Sequence, residues 1–294
     1  MHTELPEQSL SAAQVALDRV ALRLERLERD ANARALGVAV FDSESGATLG
    51  YNADRWFHAA STIKVAILAG VYAAIHEGRW PPHARLHVRN RFFSAVDGSL
   101  FRVTAERDAN AEVHAAIGKM MRIRELAHHM ITTSSNLATN LLLDLVGVET
   151  VQGVLDYYHI DGIDFRRGVE DERAFAAGIS NRVTANGLMS LLRAIEEEQV
   201  FSPELSREML DILHQQEFRN GIPGRLPREV RVAHKTGDIS TIAHDAGIVY
   251  PKGRKPYIIA ILTEWDPDTS KRTATIATVS QEIYKALTTE ANDG

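Results

Sequence analysis

Three short segments of this sequence carry side chains that could do nucleophilic chemistry. The first is Ser61-Thr62-Ile63-Lys64. On a helix beginning near Ser61, residues three apart share a face, so the Lys64 amine can reach the Ser61 hydroxyl. A helix N-terminus also offers unpaired N–H groups and a positive dipole end, both suited to a developing oxyanion. A lysine near a buried helix and other cations can lose its proton near neutral pH and serve as a base. Alone the pattern is weak, because serine followed three residues later by lysine arises by chance on the order of once in 300 residues. The second segment, Ser134-Ser135-Asn136, places two hydroxyls and an amide between helical runs. By itself it reads as a helix start with Ser134 or Ser135 as N-cap. The third, His234-Lys235-Thr236-Gly237-Asp238, ends a β-like run. Lys235 and Thr236 would face opposite sides of a strand, and Gly237 would allow a close backbone approach by a ligand. Alone, it reads as an edge strand running into a turn.

The elements that must hold these segments follow from hydrophobic periodicity. Leu17, Val20, Ala21, Leu24 and Leu27 recur at helical spacing, which predicts an amphipathic helix in the first thirty residues. Ala35–Asp42 reads as a strand, Ser45-Gly46 as a turn and Ala47–Tyr51 as the hairpin partner. Val65–Ile75 is apolar almost all round and predicts a buried helix. From there to about residue 213 the pattern is mostly helical, best at Ile123–Met130, Ala138–Val146 and Asn186–Glu198. Val88–Val103 and Asp161–Arg182 interrupt it irregularly. β-like runs return at Val230–Ala233, Ala246–Tyr250 and Tyr257–Thr263, and a helix from about Lys271 to Leu287 follows the Asp266-Pro267 turn. This order predicts an antiparallel sheet drawn from both ends of the chain, with a helical domain inserted between its halves.

Together the three segments resemble the S-x-x-K, S-D-N and K-T-G set of class A β-lactamases and penicillin-binding proteins. Here they read S-T-I-K, S-S-N and K-T-G, with 73 residues from Ser61 to Ser134 and 101 from Ser134 to Lys235. Arg124-Glu125-Leu126 before the second segment and Asn140-Leu141-Leu142 after it match as well, and the resemblance runs from about Val15 to Leu287. It implies an α/β (α+β) fold of the β-lactamase/transpeptidase type. Such a fold has a five-stranded antiparallel sheet flanked by N- and C-terminal helices, with an all-helical insert. Residues 12–60 with 214–290 would form the sheet domain and 61–213 the helical domain, with the active site at their interface.

The resemblance also implies roles. Ser61 would form the acyl intermediate and Lys64 would take its proton, directly or in concert with another base. Ser134 would relay a proton to the leaving nitrogen. Asn136 would hold the substrate's side-chain amide and the lysine. Lys235 would supply positive potential, and Thr236 would bind a substrate carboxylate beside Gly237. The N–H groups of Ser61 and Asp238 would form the oxyanion hole. A β-lactam or a related amide or ester is the implied small-molecule substrate. A D-alanyl-D-alanine peptidase, an esterase or a slow-deacylating sensor on the same scaffold is the alternative.

Three departures bear on that expectation. Ser135 stands where class A enzymes usually have Asp, at a structural position. Asp238 puts a carboxylate beside the oxyanion hole, next to where a β-lactam's own carboxylate would lie, which disfavours binding. No carboxylate-clamping arginine is evident nearby, where the strand reads His244-Asp245. The E-x-x-L-N loop that supplies the deacylating base is also missing. The loop reads Arg167-Gly168-Val169-Glu170-Asp171-Glu172-Arg173-Ala174, so Glu170 is the nearest candidate. The simpler reading of Glu170–Arg173 is a solvated charge run opening a short helix.

Composition bounds the rest. The chain has 294 residues, 45% hydrophobic and 24% charged, enough for a sizeable core. Its net charge of −6 with scattered Lys and Arg argues against nucleic acid as a partner. The absence of cysteine removes thiolate catalysis and cysteine-ligated zinc. The 12 histidines show no metal-ligand spacing and no nucleotide-binding motif occurs, so neither metal nor cofactor is expected. No apolar run could span a bilayer, and Met1–Asp30 does not read as a signal peptide. The expectation is a cytoplasmic monomer, periplasmic or secreted if a leader has been removed.

Overall fold

β1 (Ala35–Asp42) shows how the sheet organises the molecule. Along it Ala35, Gly37 and Ala39 alternate with Leu36, Val38 and Val40, and strand geometry sends the two sets to opposite faces. β1 pairs on one side with β2 (Thr48–Tyr51). In the computed structural model, which describes residues 11–81, 83–108 and 110–289, three later strands complete the sheet. They are β3 (Arg231–Ile239), β4 (Ile242–Tyr250) and β5 (Tyr257–Glu264). The order is β3-β4-β5-β1-β2, all antiparallel, so β3 is an edge strand.

The register aligns small residues across one face. Ala39 pairs with Ala260, Ala260 with Ala246, and Ala246 with Lys235. Small side chains let a helix approach the sheet closely, and α6 (Ala185–Glu196) packs there on β1, β4 and β5. The opposite face carries Val38, Val40, Ile259 and Ile261 and is covered by α1 (Ala12–Ala31) and α8 (Arg272–Thr288). Between α1 and α6 the chain forms α2 (Lys64–His76), α3 (Ile123–Thr132), α4 (Asn136–Val146) and α5 (Val148–Tyr157); α7 (Pro203–His214) follows α6. α2 is buried from Lys64 to Ile75, as its unbroken apolar sequence requires.

The sheet and the strongest helices fall where periodicity places them. The first ten residues of the expected N-terminal helix and leader reading lie outside the described residues. β3 runs further than its apolar stretch, through Lys235-Thr236-Gly237 to Ile239. The insert is not purely helical, since Arg85–His87 pairs with Met120–Arg122, and Phe92–Phe93 with Leu100–Phe101. Phe57–His58, Arg182–Val183 and Ile163–Asp164 form a third small sheet that ties the insert to the segment leading into Ser61. Among the described residues no helix is long and apolar enough to cross a membrane.

Candidate active site

Ser61 lies in a 3-10 turn, Ala60–Ile63, that runs directly into α2. Ala60 has a φ of 45°, a left-handed conformation that costs a non-glycine residue about 1–2 kcal/mol. Such strain persists only where the surroundings over-determine it. One surrounding element is β3, because a Cβ on Gly237 would stand 3.2 Å from Ser61 N, Ala60 Cβ and Thr62 Cγ2. A side chain at 237 would press the serine turn back by a few tenths of an ångström, so the glycine lets the edge strand approach it this closely.

Lys64 is fully buried at the N-terminal end of α2. Its Nζ donates to Ser134 O at 2.6 Å and to Asn136 Oδ1 at 2.8 Å, and lies 3.0 Å from Ser134 Oγ. Burial, then repulsion from Lys235, holds its pKa well below the usual lysine value. Lys235 reaches the same hydroxyl from β3, with Nζ 3.1 Å from Ser134 Oγ and 2.9 Å from Thr236 O. Burial pushes its pKa down to about 7, with the Asp245 carboxylate opposing. The expected N-cap of α4 is Ser135, whose Oγ accepts from Ala138 N at 3.1 Å and donates to Asp108 Oδ2 at 3.1 Å. Asp108, buried and not evident from sequence, also accepts from Leu137 N at 2.8 Å. Ser134, at φ 61°, is thereby left to face the two amines.

Asn136 links Lys64 to Glu170. Its Oδ1 accepts from Lys64, and its Nδ2 donates to Glu170 Oε1 at 3.1 Å and to Arg107 O at 3.2 Å. Glu170 does not belong to a solvated charge run, because its side chain is only 17% exposed and pairs with Arg107 Nε at 2.9 Å. Burial raises its carboxyl pKa, and Arg107 opposes the rise. The charge-run reading does fit Glu172 and Arg173, which are exposed and belong to a short helix, Glu172–Ala176. Asp171 caps that helix, and its carboxylate accepts from Ala174 N at 3.1 Å, Ser94 Oγ at 2.9 Å and Ala95 N at 2.8 Å. The two irregular stretches of the sequence are thus bolted together beside Glu170.

Ser61, Ser134, Asn136, Thr236, Gly237 and Asp238 line one cleft of about 420 Å³. A second lobe of about 800 Å³ opens from Ser61 and Asn136 toward Glu170 and Phe175. An arginine does stand beside Asp238, contrary to the sequence reading. Arg272, the first residue of α8, lies 34 positions away and places Nη2 3.1 Å from Asp238 Oδ1. Its Nη1 donates to Ile239 O and, at 3.1 Å, to Ser240 O, so it also braces the β3–β4 turn. His244 is buried, and burial lowers its pKa to about 4. Its Nε2 donates to His58 O at 3.0 Å, and its Nδ1 lies 2.9 Å from Ala243 O and 3.0 Å from Thr263 N. Arg107 and Arg272 had no local signature, since each acts across the fold from its own segment.

The fold and this arrangement of one serine, two buried lysines and a second hydroxyl define a serine hydrolase of the acyl-transfer type. Comparison with known proteins narrows the class. The model of the β-lactamase enzyme family matches residues 19–287, and the chain belongs to that family. A β-lactamase of Streptomyces fradiae is 31% identical over 92% of this chain and 87% of its own length. A β-lactamase of Bacteroides uniformis is also 31% identical, but over 56% of this chain and 60% of its own. Among solved structures, an acyl-enzyme complex of a PBP-A mutant with penicillin G superposes with a TM-score of 0.78 at 25% identity, covering 97% of this chain and 99% of that one. An ancestral class A β-lactamase gives a TM-score of 0.79 at 25% identity over 91% and 99%. The protein is a class A β-lactamase-like serine hydrolase.

Proposed function

We propose that Ser61 opens β-lactams or related amides and esters through a covalent acyl intermediate, and that Glu170 serves its hydrolysis. The observation that carries this reading is Ser134 Oγ lodged between Nζ of Lys64 at 3.0 Å and Nζ of Lys235 at 3.1 Å. Neutral Lys64 takes the Ser61 proton as Oγ attacks the acyl carbon. The N–H groups of Ser61 and Asp238 receive the oxyanion. The C–N bond then breaks, and the proton passes from Lys64 through Ser134 to the leaving nitrogen. Asn136 orients the acyl side, while Thr236, Gly237 and Asp238 border the leaving portion. Water, deprotonated by Glu170, attacks the ester carbonyl, and Ser61 recovers its proton as the acid product departs.

One observation favours slow turnover as the second reading. Glu170 has both oxygens engaged, Oε1 by Asn136 Nδ2 at 3.1 Å and Oε2 by Arg107 Nε at 2.9 Å, so it must give up a partner to take the proton of a water. A penicillin-binding acceptor or sensor would behave this way. Residues 12–60 with 214–290 form the sheet unit in either case, and 61–213 the helical unit, with the site between them. The test is intact-protein mass after mixing with penicillin G and, in parallel, its methyl ester, sampled from seconds to hours. An adduct of one acyl group is expected in the wild type and not in Ser61→Ala. A transient adduct with consumption of the compound indicates hydrolysis, and a lasting adduct indicates the acceptor. An adduct that survives in Ser61→Ala, or none with either compound, overturns the assignment.

A further inference from the structure

Resting on that acyl-transfer reading, the charges at one end of the cleft carry an inference about substrate class. A carboxylate is recognised beside a nucleophile by a cation free to pair with it. The end of the cleft bordered by Thr236, Asp238, Asn220, His244 and Thr273 offers no such group among its described residues. Arg272 is already engaged, with Asp238 Oδ1 at 3.1 Å, Ile239 O, Ser240 O at 3.1 Å and Ile242 O at 3.4 Å. These four acceptors hold its guanidinium against the β3–β4 turn. That turn is fixed in its own right, because Trp265 N donates to Thr241 O at 2.8 Å and the Trp265 side chain is buried. His244, on the neighbouring strand, is buried, with Nε2 3.0 Å from His58 O and Nδ1 2.9 Å from Ala243 O, so both ring nitrogens face backbone carbonyls and not the cleft. Lys235 is fully buried and donates to Ser134 Oγ and Thr236 O. Arg107, across the cleft, is paired with Glu170 and Glu172.

The exposed charge at that end is therefore the Asp238 carboxylate, whose side chain is 53% accessible. An incoming carboxylate would meet it at short range and would have to share Arg272 with it, so the like charges oppose binding. A neutral group meets no such opposition. It can donate an N–H or O–H to the free oxygen of Asp238 and can find hydroxyl or amide partners on Thr273 and Asn220, which line the same wall.

We propose that Asp238 is the specificity-determining residue of the cleft, and that it selects acyl substrates whose leaving portion carries no carboxylate. Such substrates end in an ester, amide or alcohol where penicillins carry an acid. Gly237 keeps Asp238 on the strand that touches the serine turn, so the selection acts at the step in which Ser61 is acylated.

The test compares acylation rate constants, measured by intact mass, for penicillin G and its methyl ester, which differ by one charge. Wild type, Asp238→Asn and Asp238→Ser are used as full chains. The wild type is expected to acylate faster with the ester than with the acid. Asp238→Asn, which keeps an oxygen for Arg272, should shift the ester-to-acid ratio at least tenfold toward the acid. Asp238→Ser should shift it in the same direction, which guards against a folding effect in either variant. A wild type that prefers the acid, or a ratio that moves less than twofold in both variants while Ser61 is still acylated, overturns the proposal and leaves the acyl-transfer reading standing. If neither compound marks Ser61 in any of the three proteins, the acyl-transfer reading falls and takes this proposal with it.

Discussion

Ser134 Oγ stands between two amines that must differ in charge if the site is to work. As base, Lys64 must be neutral; as source of positive potential, Lys235 must be protonated. Both are pushed below the usual lysine value, Lys64 well below it by burial and then by Lys235, and Lys235 to about 7 by burial. Asp108 and Glu170 face Lys64 and Asp245 faces Lys235, all opposing the shifts. The sign of the pH dependence follows. Lowering pH through the Lys64 value protonates the base and slows acylation, and raising pH through about 7 discharges Lys235 and slows it again. Acylation rate against pH, from 4.5 to 9, should therefore fall on the alkaline side. Lys235→Arg should lower the rate yet abolish that fall, because arginine stays charged throughout. An alkaline limb that Lys235→Arg leaves in place assigns it to another group. At this scale the meeting of Lys64, Ser134, Asn136 and Lys235 was legible because the order and spacing of their segments are distinctive, although Lys64 Nζ bonds Ser134 and Asn136 where the three-residue spacing had pointed it at Ser61. Arg107 and Arg272 were not, because one arginine among many reveals its partner only after folding.

The elements were legible in proportion to the regularity of their burial. α2 is apolar on all sides and β1 alternates small with large, so both stood out. Much of the loop between Ile160 and Arg182 has no period to read, yet it holds Glu170 at φ 60°. What fixes it is polar and non-local: Asp171 binds Ser94 Oγ and Ala95 N, and Asn140 binds Val169 N at 2.9 Å and Val169 O at 2.8 Å. Removing the Asp171 carboxylate should let the loop drift without touching Ser61, Lys64 or Ser134. Asp171→Ala is expected to slow deacylation about tenfold or more and to change acylation less than threefold, a split that rapid-quench mass measurements resolve. Glu170→Gln should show the same split more strongly. If Asp171→Ala and Glu170→Gln both leave deacylation unchanged, the loop serves stability and the deacylating base lies elsewhere.

For the whole molecule, the sheet joins what sequence order separates. Its small-residue face, with Ala39, Ala246, Ala260 and Leu262, belongs to the same core as Leu68, Leu126, Leu141 and Leu188 of the helical insert. Its large-residue face packs with Leu17, Leu24 and Ile283 in a second core. Residues 61–213 would thus expose one side of α6 if freed from the sheet. The sequence order suggested an insert but not this sharing, because contact across the sheet depends on register, and periodicity does not report register. The physical consequence is joint unfolding. Trp265 is buried in the second core, while most of the helix lies around the first and Trp80 packs against it, so in a Trp56→Phe/Trp80→Phe background Trp265 fluorescence and far-UV circular dichroism report on opposite sides of the sheet. The two signals should trace one coincident transition in urea, with equal calorimetric and van't Hoff enthalpies. Leu191→Ala, in buried α6, should lower both midpoints together, for a loss of unfolding free energy of roughly 2–5 kcal/mol, as for a buried leucine truncation. Two resolved transitions, or a loss confined to the dichroism signal, would show that the helical unit is stable alone. The Ser61 site would then be assembled by docking of two units and not by one fold.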